Sequence, residues 1–170
     1  MPHYPDDISM AATVQQEVAG LRAFSIRPVT ADLVGQAFPV VQAAAPDVTL
    51  EQWRAFATNP PGENGMGLVG VFNEQDYIVG LFAYRREPHL QHGRILRICH
   101  LAAVDLVDSE PVLQALLQAI EDQAKAQDCS AILMATPASY LKVAAHWMHP
   151  LFAARGYLLD STQIRKMPPS

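Results

Sequence analysis

Residues 94–117 read RILRICHLAAVDLVDSEPVLQALL, and this stretch decides the fold. Its first half is rich in β-branched and apolar side chains with an imperfect alternation, which predicts a long strand. Leucines recur at helical spacing over residues 113–117, which predicts an amphipathic helix. Asp108 or Ser109 as the N-cap, with Pro111 in the first turn, is typical of a helix start. The stretch therefore predicts a strand that leads directly into a helix.

Two apolar runs precede that strand, at residues 67–72 and 77–84. The polar residues 73–76 between them are typical of a hairpin turn. Together with a third strand over residues 94–104, the runs predict an antiparallel meander.

Helices are predicted before the meander, over residues 31–45 and 50–57, and a short strand over residues 23–28 comes first. Pro39 predicts a kink or a break in the first helix, because proline has no N–H to donate and its ring clashes with the preceding turn. The string Thr49-Leu-Glu-Gln52 has the spacing of a capping box.

The chain after the central helix continues to alternate between strand and helix. Residues 131–135 predict a buried strand, and residues 139–155 predict a helix that is interrupted near Pro150. Gly156 is a natural helix stop, and residues 157–167 predict a final pair of strands. The complete order predicts an α/β (α+β) fold with a mixed, mostly antiparallel sheet of about six or seven strands flanked by helices.

Length and composition predict one domain. The chain has 170 residues, of which 50% are hydrophobic and 17% are charged, and this composition excludes disorder as the dominant state. Residues 23–168 are assigned to a single domain. Residues 1–22 show no sustained periodicity and are assigned to a loosely ordered arm or a short helix.

Charge and cysteine content restrict the partners and the compartment. Lys and Arg number 12 against 17 Asp and Glu, giving a net charge of −5, which disfavours binding to nucleic acid or to an anionic membrane. No uncharged apolar run approaches the roughly 20 residues of a membrane span, and the N-terminus lacks the basic start of a signal peptide. Cys99 and Cys129 are the two cysteines, too few for a disulfide framework. We therefore expect a cytoplasmic protein without nucleic-acid or membrane partners.

Four short strings occur in the order and spacing of a known family. They are Ile26-Arg-Pro28, Ile78-Val-Gly80, Leu101-Ala-Ala-Val104 and Leu151-Phe-Ala-Ala-Arg-Gly-Tyr157. Together with the predicted order of elements, they make residues 24–167 resemble a divergent member of the GNAT superfamily of acyl-CoA-dependent N-acetyltransferases. The resemblance implies transfer of an acyl group from acetyl-CoA, or a related acyl-CoA, to the amine of a small molecule or a peptide. Dimers are common in the family, so a homodimer is a further expectation.

The same resemblance implies where the co-substrate binds. The strand amides at Leu101, Ala102 and Ala103 would grip the pantetheine arm. The start of the following helix would receive the diphosphate, because helix N-termini attract anions. The residues at that helix start are Ser109, Pro111, Val112 and Leu113.

The loop before that helix departs from the family pattern. Where the family has an arginine followed by glycines, this sequence has Asp108, Ser109, Pro111 and Leu113. Asp105 and Glu110 add further carboxylates, which repel a diphosphate. A second hypothesis follows from this departure, in which the chain is a non-catalytic GNAT-fold binding module that has lost the acyl-CoA site.

Two residues are candidates for the general base that deprotonates the amine. His100 lies where family members often carry an acidic base, and the ordinary histidine pKa of about 6.5 suits this role. Glu87, in the turn region between the second and third strands of the meander, is the runner-up. In many members a tyrosine of the last helix protonates the thiolate, but Phe152 occupies that place here. Tyr140 and Tyr157 are the alternative hydroxyl groups that could protonate the thiolate.

Two further groups of residues could carry chemistry. Four arginines bracket the loop between those strands and could meet CoA phosphates or an anionic acceptor; they are Arg85, Arg86, Arg94 and Arg97. His89 and His92 stand three residues apart, as do His146 and His149. Neither pair has an obvious third zinc ligand, so no metal site is expected.

Overall fold

The computed structural model of the protein describes residues 23–58, 66–104, 110–135, 148–158 and 167. The N-terminal arm expected at residues 1–22 lies outside these residues, and so does nearly all of the strand pair expected at residues 157–167.

The described residues form one sheet of five strands that lie side by side in sequence order. The strands are β1 (Ser25–Pro28), β2 (Met66–Phe72), β3 (Ile78–His89), β4 (Gly93–Ala103) and β5 (Ala131–Met134). The first four pair in antiparallel fashion, and β5 pairs with β4 in parallel. The mixed, mostly antiparallel sheet confirms the predicted class, with slightly fewer strands than the six or seven expected.

Helices pack on both faces of this sheet. They are a 3-10 turn (Ala31–Leu33), α1 (Val34–Ala44), α2 (Leu50–Ala57), α3 (Glu110–Ala126) and α4 (Met148–Ala154). The first two α-helices bury their apolar side chains against Leu81 and Ala102. The leucines of α3, together with Leu151 of α4, pack on the opposite face around Phe82 and Ile98. The sheet therefore separates two apolar layers.

The structure tests two details expected of the N-terminal helices. The capping box is confirmed, because the Gln52 backbone N donates to Thr49 Oγ1 at 3.2 Å and the Thr49 N donates to Gln52 Oε1 at 2.8 Å. The first helix is not broken at Pro39, which lies inside the continuous α1. The buried Trp53 holds the two helices together, since its Nε1 donates to the Val34 carbonyl at 2.7 Å.

The helix that follows the long strand lies close against the sheet at Gly80. A Cβ atom at this position would lie 2.7 Å from Val112 Cγ1 and 3.0 Å from Leu116 Cδ1. Both distances are too short for ordinary contacts between carbon atoms. The absence of a side chain at Gly80 therefore lets the first two turns of α3 rest directly on β3.

We predict that Gly80→Ala destabilises the protein by about 1–3 kcal/mol, because the added methyl group overpacks the contact between α3 and β3. The matched control is Gly35→Ala in α1, where the nearest atom to the new Cβ is 4.0 Å away. That change should stabilise the helix by about 0.5–1 kcal/mol. Urea unfolding midpoints measure both effects, and equal shifts in the two variants would contradict the close approach.

Candidate functional site

The pairing between β4 and β5 stops partway along β4. The ladder runs from Ile95 opposite Ala131 to Ile98 opposite Met134, whereas β4 continues beside β3 as far as Ala103. Over residues 99–103, β4 therefore has β3 on one side and no strand of the described part of the chain on the other. This end of β4 presents an open edge of backbone groups.

A β-bulge lies where the open edge begins. Ala83 of β3 pairs with His100, but the next residue, Tyr84, pairs with Ile98. Cys99 is thus the extra residue of β4 and has no partner on β3. The imperfect alternation of residues 94–104 was the one signal of this bulge in the sequence.

The bulge determines which backbone groups face the open edge. The Val104 N donates to the Val79 carbonyl at 2.8 Å, so at this end of β4 the even-numbered residues turn their N–H groups toward β3. Because N–H directions alternate along a strand, the N–H and C=O groups of Leu101 and Ala103 face away from β3. At the other end the Arg94 carbonyl accepts from Ser130 N at 2.7 Å, so there the even-numbered residues face the β5 side.

The start of α3 lies over the face of the sheet near the end of β4. Gly80, on which Val112 rests, pairs with Ala103 at the end of β4. Val112 and Leu113 bury their side chains in the core layer of α3, so only their backbone amides can meet a ligand. Pro111 has no N–H to offer, and Ser109 lies outside the described residues.

His100 lies on the sheet face that α1 and α2 cover farther along. Its partner Ala83 and its neighbour Ala102 identify this face, since Ala102 and Leu81 pair within the apolar layer of α1 and α2. The Nε2 atom of His100 is buried and has no hydrogen-bond partner in the described part of the chain. Burial lowers the pKa of His100 from its ordinary value of 6.5, so the imidazole is neutral at neutral pH with a nitrogen available.

The next positions on the same face hold a cluster of three charges, which we call the arginine clamp: Arg85, Arg97 and Glu87. Arg85 and Arg97 are direct partners across the two strands. Arg97 donates through Nε to Glu87 Oε1, and Arg85 donates through Nε to Glu87 Oε2 at 3.0 Å. Burial alone would raise the pKa of Glu87, but the hydrogen bonds and charges of the two arginines outweigh it and lower that pKa.

The structure brings some of the predicted site residues together and separates others. His100 and the open edge at Leu101–Ala103 are contiguous on β4, and Val112 and Leu113 lie near them. Glu87 is opposite Ile95, four residues along β3 from Ala83, the partner of His100, and both of its oxygens are already engaged. Cys99 is exposed.

The end of α4 packs against α3 through a second charged contact. Arg155 donates to both oxygens of Glu121, at 2.9 and 2.7 Å, and to Gln118 Oε1 at 2.8 Å. Gly156 then turns the chain with a φ of +83°, which favours glycine. The Phe152 ring meets the Tyr157 ring edge-on at 5.4 Å and belongs to the core layer of α3.

Tyr157 carries the second orphaned polar atom. Its hydroxyl is buried and forms no hydrogen bond of good geometry within the described residues. Burial, together with the nearby Glu121 carboxylate, raises the pKa of Tyr157 to about 12. Tyr140, the other hydroxyl considered, lies outside the described residues.

The remaining histidines form no metal site in the described residues. The rings of His89 and His92 stack at 4.9 Å, and His89 Nδ1 accepts from the Gln91 and His92 amides at 3.3 Å each. No group of three or more His, Cys, Asp or Glu side chains there is arranged to hold a metal ion. His146 and His149 lie where no side chain is described.

No helix in the described part of the chain is long and apolar enough to cross a membrane.

Known structures share this architecture at low sequence identity. A ribosomal-protein-alanine N-acetyltransferase from Brucella melitensis superposes with a TM-score of 0.68 and 13% identity, over 86% of this chain and 100% of that one. A glucosamine-6-phosphate N-acetyltransferase from Arabidopsis thaliana gives 0.64 and 14%, over 85% and 97%. An aminoglycoside N-acetyltransferase in complex with CoA gives 0.69 and 9%, over 91% and 100%.

These neighbours identify the fold. The chain has the fold of the GNAT acetyltransferases. No family model matches the sequence, and no curated protein does.

We predict that Tyr157→Phe leaves the unfolding free energy unchanged or raises it by up to about 1 kcal/mol, because the change removes a buried hydroxyl without a partner. Tyr84→Phe is the matched comparison, since Tyr84 Oη accepts from Gln123 Nε2 at 2.9 Å. Its loss should cost about 1 kcal/mol. Urea unfolding of both variants measures the difference, and a larger loss in Tyr157→Phe would reveal a partner for that hydroxyl.

Proposed function

We propose that the protein is a GNAT-type N-acyltransferase that moves an acyl group from acetyl-CoA, or a related acyl-CoA, to the amine of a small molecule or a peptide. One observation carries the proposal. The open edge of β4 at residues 99–103 lies near the start of α3, in a fold whose neighbours include an acetyltransferase in complex with CoA.

The open edge suits the amide-rich pantetheine arm of the co-substrate. Leu101 and Ala103 turn one N–H and one C=O each toward the edge, and a pantetheine chain laid along it would pair with them as a strand does. The thioester carbon would then lie near the bulge, where Cys99 and His100 begin the edge. The amides of Val112 and Leu113 at the start of α3 would meet the diphosphate.

His100 is the proposed general base. Its neutral Nε2 would accept the proton of the substrate ammonium, directly or through one water, and the free amine would attack the thioester carbon. The tetrahedral intermediate would lose the extra proton of its nitrogen to solvent and expel the CoA thiolate as the C–N bond replaces the C–S bond. A proton from solvent or from Tyr157 would then neutralise the thiolate.

Glu87 is the second candidate base, with properties less suited to the role. Its lowered pKa makes its carboxylate a weak proton acceptor, and two arginines already occupy its oxygens. We therefore assign Glu87 the task of orienting Arg85 and Arg97.

The alternative proposal is a GNAT-fold module without catalysis. The observation that favours it is the start of α3, where the exposed Glu110 carboxylate and the imino acid Pro111 stand in place of uncharged donors. A carboxylate in the first helical turn disfavours a bound diphosphate by charge repulsion. Binding of the co-substrate separates the two proposals.

We predict that acetyl-CoA binds the purified protein with a dissociation constant below 1 mM, roughly the top of the range in which enzymes hold their substrates. Ala103→Pro should weaken this binding by about tenfold or more, because it removes an N–H that faces the open edge. The ladder to β3 should survive, since that N–H has no partner on β3. Isothermal titration calorimetry measures both affinities. No heat at millimolar acetyl-CoA would remove the enzyme and leave the binding module.

We predict that His100→Gln lowers kcat by about 10²–10⁴-fold, the usual contribution of a general base, while the fold stays intact. The lowered pKa of His100 also determines the direction in which the rate changes with pH. The base is active when neutral, so the acid limb of the wild-type kcat/KM profile should fall below pH 6.5 and should vanish in the variant. Initial rates of thiol release between pH 5 and 9, using any amine that is turned over, measure this; an unchanged profile would dismiss His100.

A further inference from the structure

We infer that the acceptor amine carries an anionic group, a carboxylate or a phosphate, which the arginine clamp binds. This inference rests on the proposed function and specifies the class of its acceptor. The clamp and His100 would hold opposite ends of the same molecule, the anion at Arg85 and Arg97 and the amine at Nε2.

The clamp and the candidate base lie on the same face of the sheet. His100 pairs with Ala83, and Arg85 is two residues farther along β3 and pairs with Arg97. Residues two apart on a strand point to the same side. The two rungs are therefore neighbours on this face, about 7 Å apart along the strand.

This spacing suits a small bifunctional molecule. An amine separated from a carboxylate or a phosphate by two or three bonds of carbon chain could place its nitrogen at His100 while its anion reaches an arginine side chain. Two short side chains lie between them, those of Ala83 on β3 and of the bulged Cys99 on β4, whose thiol feels the charges of the arginine clamp.

The clamp has positive charge and donors left over. Two arginines and one carboxylate give the cluster a net charge of +1, on a chain whose net charge is −5. Arg97 contacts Glu87 through Nε. In the described part of the chain, neither of its Nη groups is used in that contact, so both can donate to a ligand. The side chains of Arg85 and Arg97 are 43% and 27% exposed, so a ligand can reach them from solvent.

Glu87 makes the clamp a preformed anion site. Both guanidinium groups are tied to one carboxylate, which limits their side-chain freedom before any ligand arrives. A planar guanidinium that is held in place can bind a carboxylate or phosphate through two parallel hydrogen bonds. Less conformational entropy is then lost on binding.

The neighbouring arginines do not share this arrangement. Arg86 pairs with Leu96, and Leu96 belongs to the core layer of α3 on the opposite face. Arg94 forms an exposed ion pair with Asp128 at 3.2 Å. Arg86 therefore offers a control with the same charge, adjacent in sequence but on the other side of the sheet.

Two matched pairs of probes test the inference by direct binding. The first pair is phosphoethanolamine and ethanolamine, and the second is β-alanine and propylamine. Each is titrated into the full chain by calorimetry, with and without CoA present. We expect the anionic member of at least one pair to bind about tenfold or more tightly than its neutral-tailed partner.

Variants then assign the preference to the clamp. Arg97→Gln and Arg85→Gln should each lose the preference for the anionic probe by about tenfold, whereas Arg86→Gln should retain it. The affinity for CoA should be unchanged in all three. Equal binding of both members of each pair, or no binding of any probe, overturns the inference. The inference is also overturned if Arg86→Gln loses the preference for the anionic probe to the same extent, or if the variants weaken the binding of CoA and not that of the probe.

These outcomes are independent of the test of the proposed function. Failure of acetyl-CoA to bind would remove the transferase while leaving anion binding at the clamp measurable. Conversely, an acetyl-CoA-binding enzyme that shows no preference for anionic amines would retain its proposed activity and lose only this acceptor class.

Discussion

The site depends on two features of β4, the early end of its ladder with β5 and the extra residue Cys99. If Cys99 paired regularly with Ala83, the N–H and C=O groups of Leu101 and Ala103 would face β3, and those of His100 and Ala102 would face the edge instead. Because Cys99 is an extra residue, the set of residues whose N–H groups face β3 changes from odd-numbered to even-numbered near the point where the ladder with β5 ends. The end of the β5 ladder leaves a row of backbone groups without a strand partner in the described residues, and the bulge decides that this row belongs to Leu101 and Ala103.

The same bulge determines which side chains of β4 lie on the sheet face that carries His100. Beyond the apolar pair Leu81 and Ala102, that face passes to a buried neutral imidazole at His100 and then to the arginine clamp. Burial works against charge at His100, while the clamp retains charge because its three groups neutralise one another in part. Along β3 and β4 this face therefore changes from apolar side chains to a neutral imidazole and then to a cationic cluster.

The sequence was sufficient for the class of the fold and for most elements of the described residues. Periodicity identified α3 and the three-stranded meander, and the capping box at Thr49 was readable because its residues are four consecutive positions. The continuity of α1 through Pro39 was not predictable, because packing of Ala37, Val40 and Val41 against the sheet overrides the local cost of the proline. The sequence predicted only part of the arginine clamp. The arginines stood out as a group, but Glu87 joined Arg85 and Arg97 only once the register of β3 and β4 was known.

The short ladder between β4 and β5 also bears on how the chain reaches this structure. The β2–β3–β4 meander closes through tight turns, so its contacts form at little entropic cost, whereas β1 pairs with β2 only across the two intervening helices. The strand β5 returns to β4 only after α3 has been traversed, and it gains four residue pairs when it arrives. The meander is thus the natural nucleus, and the two outer seams, at β1 and at β5, are where assembly would finish and local unfolding would begin.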